Sequence, residues 1–315
     1  MKLILEASFF CLSLTSTLQL VCITPRDIMC SAYLLLNRSY LTFNRKGWCN
    51  MSQENILSVT IPPLIPSELM EEYRDFINPA LREVVQATCL RRYLEGAIDL
   101  LLKDRLLSLA DISESEWRKS DLDDKIVLVK EHIDKDLANK YFKIKNIGNK
   151  GAHYTAKRIT PNEISNAVRH AVTIFEDLLV VYFKKHRIGT EGPVLTILSS
   201  LPPIKRVYIL EKIWKQDRSN VWIIDKLSMA YLKSGDFQKS MNFLESVKDK
   251  IDEACYEDFV WKLENLQKNL HILDISGNVD DAARIFNILI KDEYFTKYPE
   301  FTNLFCVLVS GYNYK

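Results

Sequence analysis

The segment Ile144-Lys-Asn-Ile-Gly-Asn-Lys-Gly-Ala-His153 places rare residue types where ordinary core packing does not require them. If this segment is helical, Lys145, Asn149 and His153 lie at i, i+4 and i+8 and share one face of the helix. Two glycines interrupt the same turns, and each costs about 1 kcal/mol relative to alanine inside a helix. The glycines therefore predict a close approach of another backbone, a helix start, or a bound group that needs room.

The chain around this segment is rich in basic residues. Between residues 137 and 162 the chain contains six basic residues and no acidic one, and aromatic residues are interleaved with them. Such a surface can bind RNA phosphates and stack bases, whereas a solvated lysine-rich face is the alternative interpretation. The candidate RNA-binding residues are Lys140, Lys143, Lys150, Tyr154, Lys157 and Arg158.

The overall composition predicts a folded, all-α protein. Hydrophobic residues make up 47% and charged residues 26% of the 315 residues, which are ordinary values for a globular chain. There are only nine glycines and ten prolines, and the β-branched residues do not form alternating strand patterns. The net charge of +1 gives no whole-chain reason to expect nucleic acid or an anionic membrane as a partner, so any such argument must be local.

The seven cysteines do not have the spacing of a zinc site or of a disulfide framework. Their odd number and irregular spacing predict reduced thiols and a cytoplasmic location. We find no phosphate-binding glycine loop, no metal-ligand cluster and no serine nucleophile motif, so no cofactor is expected.

Residues 1–50 have an atypical composition, with two acidic residues and a largely apolar run from residue 3 to residue 24. Three interpretations remain open: a mis-assigned start with Met51 as the true initiator, a signal peptide or membrane anchor, or a folded extension. If this segment is not part of the native protein, no membrane contact is expected. Residues 51–65 are expected to form an extended lead-in, because the prolines at its end disfavour a helix.

Residues 66–186 show the apolar periodicity of a helical bundle, in which four helices are expected to bury one shared core. A long helix is expected from Pro79, in its first turn, to about Leu107, and residues 113–120 read as a polar connection. A shorter helix capped by Asp121 follows it. The last helix of the bundle is expected to begin at Pro161, after Thr160, and to continue to about Phe183.

Residues 194–315 are expected to form a second helical domain, after a charged, glycine-containing connection at residues 184–193. The phrases Gly235-Asp-Phe237 and Gly277-Asn-Val279 each lie between two apolar-faced segments, which is typical of stacked helical hairpins. Each glycine is expected in the left-handed or tight-turn conformation that joins two helices. The aromatic residues between 291 and 315 predict a helix that closes the stack.

Two resemblances follow from these phrases. Residues 66–185 resemble the HEPN superfamily, and within it a small domain of unknown function found beside restriction and other defence enzymes. The likeness is carried by Leu90-Arg91-Arg92-Tyr93-Leu94-Glu95, by residues 122–130, and by Gly148-Asn149 with Ala152-His153. The second domain resembles tetratricopeptide-like repeats, through its two glycine phrases.

The HEPN resemblance implies a homodimer through the bundle and contact with RNA, possible roles being a defence or toxin-like component and a metal-independent endoribonuclease. Active HEPN ribonucleases have an arginine a few residues before a histidine. Carried over by position, the polar residue is Asn149 and the histidine is His153, whereas the arginine position falls on Gly148. The alternative is a non-catalytic helical scaffold, whose C-terminal repeats bind a protein partner.

The chemical hypothesis assigns a role to each residue of the opening segment. His153 would take the 2′-hydroxyl proton or protonate the leaving oxygen, Lys145 would stabilise charge on phosphorus, and Asn149 would orient the substrate. In the alternative, His153 and Asn149 only cap or bond to neighbouring helices. Arg91, Arg92 and Glu95 lie within one helical turn, and their ion pair either supports the site or is an ordinary surface salt bridge.

Overall fold

Fifteen α-helices follow one another in the part of the chain that the computed structural model describes. That part comprises residues 63–152, 158–189, 192–273, 275, 277–291 and 293–312, with only the backbone of residues 293 and 294. It contains no β-strand, which confirms the all-α prediction. The N-terminal segment 1–50, most of the lead-in, and three candidate site residues, His153, Tyr154 and Lys157, lie outside the described residues.

The bundle contains eight helices rather than the four expected from the sequence, and it follows a short 3₁₀ turn at Ser67–Leu69. The two longest, α2 and α6, pack against each other, and α1, α5 and α7 pack beside them. Their core is apolar and includes Leu90, Ile98, Ile126 and Ile144, each fully buried. The helices are Met70–Ile77 (α1), Glu83–Leu101 (α2), Lys103–Ala110 (α3), Glu114–Lys119 (α4), Leu122–His132 (α5), Lys135–Ala152 (α6), Pro161–Ala171 (α7) and Ile174–His186 (α8).

Two helix starts in the bundle are confirmed as the sequence predicts them. The Asp121 side chain accepts a hydrogen bond from the Asp124 backbone N–H, and Asp124 reciprocates, so a capping box begins α5. Thr160 and Glu163 form the same arrangement at α7, with Pro161 in the first turn. Each signal lies within four residues, so no information from the rest of the fold is needed to recognise it.

Three expectations about the bundle helices are wrong. The long helix begins at Glu83, because residues 78–81 form a turn in which the Asn78 side chain accepts from the Ala80 N–H at 3.0 Å. It ends at Leu101, and Leu102 joins it to α3 with both sides of the break packed on the core. The presumed polar connection contains helix α4, whose Trp117 is buried and donates from its indole N–H to Asp99 at 3.0 Å.

The helix expected from Pro161 to Phe183 is also divided, into α7 and α8. The Thr173 hydroxyl donates to the carbonyl oxygens of Arg169 and His170, at 3.3 and 3.2 Å. Such back-bonding by a threonine often bends a helix, and here it accompanies the interruption at residues 172–173 between α7 and α8. The sequence prediction missed this break because Thr173 is compatible with a continuous helix.

Seven further helices follow, and four of them pack in chain order as hairpins, α10 on α11, α11 on α12 and α12 on α13. Gly235 joins α11 to α12 with a φ of 94°, so the predicted left-handed turn is confirmed there. The expected C-terminal helix is shorter than predicted and follows a 3₁₀ turn at Glu293–Lys297. The helices are Gly192–Ser200 (α9), Pro203–Trp214 (α10), Val221–Lys233 (α11), Phe237–Ser246 (α12), Glu253–Asn269 (α13), Asp280–Leu289 (α14) and Pro299–Leu308 (α15).

Helix α8 lies between the two groups of helices, and all its residues from Ile174 to Phe183 are buried. Leu178 and Val181 belong to the core of the bundle. Phe175 and Leu179, on the opposite side, belong to the core formed with the C-terminal helices. The apolar residues of α8 are buried because the helix contributes to both cores, and its two acidic residues, Glu176 and Asp177, are buried in ion pairs with lysines of α10. Within the described residues, every helix is too short or too polar for a membrane span.

Candidate functional site

Gly148 and Gly151 let helices α2 and α6 approach each other closely. A Cβ atom at Gly148 would lie 2.5 Å from the Arg91 Cβ, and one at Gly151 would lie 2.8 Å from the Val84 carbonyl oxygen. Both distances are shorter than real Cβ contacts, so only glycine fits at these positions. Of the three explanations that the sequence left open, close backbone approach is therefore the correct one.

This close approach brings Arg91 of α2 to Asn149 of α6. The Arg91 Nη1 donates a hydrogen bond to the Asn149 Oδ1, and both side chains are partly buried. A guanidinium carries five N–H donors, and Asn149 takes one of them. None of the described carboxylates forms an ion pair with Arg91, so its charge is not neutralised by a partner in that part of the chain.

Asn149 lies three residues before the end of α6, and Ala152 is its last residue. The next residue, His153, is the candidate acid or base and lies outside the described residues. The chain is described again from Arg158, which is exposed and has no carboxylate partner among the described residues. We call Arg91, Asn149 and the two glycines the α2/α6 interface. Along the chain, this interface immediately precedes the segment that contains His153.

Lys145 does not share the surroundings of Asn149, although both belong to α6. Lys145 is 8% exposed, and its ammonium group donates to the Asp123 carboxylate of α5. It also lies 5.4 Å from the centre of the Phe142 ring. Its charge is therefore neutralised within the bundle, and Arg91 is the cation that the fold places at Asn149.

Two more of the candidate RNA-binding lysines are engaged in ion pairs. Lys150 lies 2.6 Å from Glu163 of α7, and this contact, with the capping hydrogen bonds of Thr160, lowers the pKa of Glu163 to about 2. Lys140 lies 2.5 Å from the buried Asp177 of α8. By contrast, Lys143 is exposed and has no carboxylate partner in the described ranges.

Arg91, Arg92 and Glu95 of α2 have different partners in the structure. Arg92 pairs with Glu72 of α1 at 2.8 Å, with 70% of the Arg92 side chain exposed. Glu95 is half-buried and pairs with neither arginine in the described part of the chain. Arg91 alone turns toward α6. The role of Arg91 at Asn149 could not be found from spacing, because 58 residues separate the two; the only sequence signal is Gly148, which marks a close neighbour.

Within the described ranges, no group of three His, Cys, Asp or Glu side chains is placed to hold a metal ion. Cys89, Cys255 and Cys306, the cysteines of these ranges, are free thiols. Comparison with protein-family models, with curated proteins and with solved structures finds no match to this chain.

Proposed function

We propose that this chain is an RNA-binding helical protein of HEPN type, which contacts RNA through the α2/α6 interface. The observation that carries the proposal is the guanidinium of Arg91, fixed by Asn149 and without a carboxylate partner among the described residues. A half-buried cation with free donors is well suited to a phosphate oxygen, because the fork of an arginine side chain can bind two oxygens at once.

Two exposed cations support the same interpretation. Lys143 lies on α6, and Arg158 lies where the described chain resumes after the His153 segment. Neither is neutralised by a described carboxylate, so both can approach a polyanion without losing an ion pair. RNA in a single-stranded conformation offers its phosphates and its unstacked bases together, which suits a surface with cations and an orienting amide.

Cleavage is the catalytic form of this proposal, with His153 as acid or base. The 2′-oxygen of the RNA attacks phosphorus, its proton passes to a base, and the 5′-oxygen leaves with a proton, giving a cyclic phosphate. Arg91 would stabilise the charge that builds on the phosphate oxygens, as an electrostatic group does in phosphoryl transfer. In this proposal Arg91 replaces Lys145 and takes the role that the HEPN pattern expects of an arginine at position 148.

The alternative function is a helical scaffold without chemistry. It is favoured by the ion pairs of Lys140, Lys145 and Lys150, which neutralise half of the cations in the basic window. In that function the tetratricopeptide-like hairpins of α10 to α13 would hold a protein partner, and the bundle would form a homodimer.

We expect Arg91→Gln to weaken binding of a single-stranded RNA by about tenfold at low salt, since one phosphate contact is lost. The slope of log affinity against log salt should fall by about 0.7. Fluorescence anisotropy with a labelled oligonucleotide measures both quantities. Arg92→Gln is the matched control, because Arg92 is adjacent on α2 but already paired with Glu72. Equal effects of the two substitutions, or no binding by the unaltered protein, would overturn the RNA proposal.

The catalytic form is tested separately with His153→Ala in a buffer containing a chelator. We expect the unaltered protein to convert the oligonucleotide to products that end in a cyclic phosphate, and the variant to bind RNA but leave it intact. Electrophoresis of the labelled RNA resolves the products. Intact RNA with the unaltered protein refutes cleavage and leaves binding to stand on the Arg91 result.

A further inference from the structure

The carboxylate of Asp177 lies at the junction of α6, α8 and α10 and is shared by two lysines. The Lys140 ammonium group is 2.5 Å from one carboxylate oxygen, and the Lys212 ammonium group is 2.6 Å from the other. The Tyr208 hydroxyl donates to the second oxygen at 2.9 Å. Asp177 is 5% exposed, so this cluster is built into the fold rather than formed by mobile surface side chains.

The cluster carries more positive than negative charge. Two ammonium groups face one carboxylate, and one positive charge is left over. Both ammonium groups also donate to the Tyr208 oxygen, each at 2.7 Å, so each has used two of its three N–H donors. None of the described residues accepts the third. Burial lowers the pKa of Lys140; the charge of Asp177 opposes this shift, and the charge of Lys212 adds to it.

A cavity of about 260 Å³ adjoins this cluster and is lined by Lys140, Asp177 and Lys212. Lys215, the C-cap of α10, also lines the cavity, is exposed, and has no carboxylate partner among the described residues. It adds a second unneutralised positive charge at the rim. The cavity is smaller than the pockets of roughly 300–1,000 Å³ that hold drug-sized ligands.

The other two acidic residues of the lining, Asp134 and Asp136, do not cancel the whole positive charge of the cavity. Asp134 is paired with Lys184 at 2.8 Å, so these two lining residues neutralise each other. The Asp136 side chain is 86% exposed and lies 4.0 Å from Lys184, and water screens its charge as it screens the charge of the exposed Lys215. The charged lining residues are four lysines and three aspartates, so the cavity keeps one net positive charge, together with N–H donors of Lys140 and Lys212 that have no protein acceptor in the described part.

We propose that this cavity binds a phosphate dianion, either free inorganic phosphate or the terminal phosphate of a larger molecule. The negative charge of a phosphate is attracted by the net positive charge of the lining, and its oxygens can accept the third N–H donors of Lys140 and Lys212. Lys215 closes the ion pair from the rim. None of the residues that line this cavity belongs to the α2/α6 interface, so this site is distinct from the proposed RNA contact at Arg91.

The proposal is tested by isothermal titration with inorganic phosphate, with sodium chloride held at matched ionic strength. We expect saturable binding by the unaltered protein and a loss of about tenfold in affinity for both Lys212→Gln and Lys215→Gln, since each removes a charge-assisted hydrogen bond. Lys226→Gln is the control, because Lys226 is paired with Asp225 on α11 and is outside the cavity lining.

Lys215→Gln keeps the test sound if Lys212→Gln disturbs the fold, since Lys215 is exposed. A second titration compares an oligonucleotide with a 5′-phosphate and the same oligonucleotide with a 5′-hydroxyl. A preference for the phosphorylated end, lost in Lys215→Gln, identifies a terminal phosphate as the ligand; equal affinities with retained phosphate binding identify the free ion. Absence of saturable binding, or equal weakening by Lys226→Gln, would overturn the proposal.

Discussion

Lys205→Met is expected to lower the free energy of unfolding by about 3–5 kcal/mol, because it leaves a buried carboxylate without its cation. The Lys205 ammonium group lies 2.5 Å from the Glu176 carboxylate, and each side chain is 1% exposed. Burial, with a further contribution from the Glu176 charge, raises the pKa of the nearby Tyr73 to about 12. Urea unfolding followed by circular dichroism measures the loss.

The double variant Glu176→Leu with Lys205→Met distinguishes a lost ion pair from lost packing. Replacing both charges with apolar groups removes two desolvation costs together with their attraction, so most of the stability should return. The control is Lys262→Met, in the exposed pair of Lys262 with Asp258 at 2.6 Å, where a loss below about 1 kcal/mol is expected. If the double variant is no more stable than Lys205→Met, unpaired charge is not the cause.

Gly151→Ala is expected to cost about 1–3 kcal/mol of stability, although alanine favours a helix by up to about 1 kcal/mol over glycine. The added Cβ would meet the Val84 carbonyl oxygen at 2.8 Å and the Thr88 backbone nitrogen at 3.0 Å, and neither backbone atom can move away as a side chain can. The same substitution should weaken RNA binding, because α2 is pushed away from α6 and Arg91 from Asn149.

Gly192→Ala is the matched control for this result. Gly192 also lies in a helix, at the start of α9, and a Cβ there would have no described atom within 4 Å. We expect unchanged or slightly raised stability. Equal stability of Gly151→Ala and the unaltered protein, measured by the same urea unfolding, would contradict the close approach of α2 and α6.

The features that the sequence predicted are those whose causes lie close together in the chain. The all-α class follows from apolar periodicity, and the caps at Asp121 and Thr160 need only a partner three residues away. The turn at Gly235 needs only a residue that tolerates a positive φ. The two glycines of α6 were recognised as unusual, and the structure supplied the missing neighbour, α2.

The features that the sequence could not predict depend on residues far apart in the chain. The sequence does not reveal the ion pair of Lys145, because its partner Asp123 lies 22 residues away. It also does not reveal the contact of Arg91 with Asn149, which lies 58 residues away. The break between α2 and α3 follows from core packing rather than from a helix-breaking residue. A lysine-rich segment therefore forms a basic surface only where its lysines are not paired with carboxylates elsewhere in the fold.

Helix α8 couples the unfolding of the bundle to the unfolding of the C-terminal helices. Its residues complete the packing of the bundle on one side and of the C-terminal helices on the other, and its Glu176 and Asp177 are tied to α10. Because unfolding of α8 would expose both cores, we expect neither the bundle nor the C-terminal helices to unfold while the other group stays folded. We therefore expect local opening at the helix ends and loops, and joint unfolding of the bundle and the C-terminal helices.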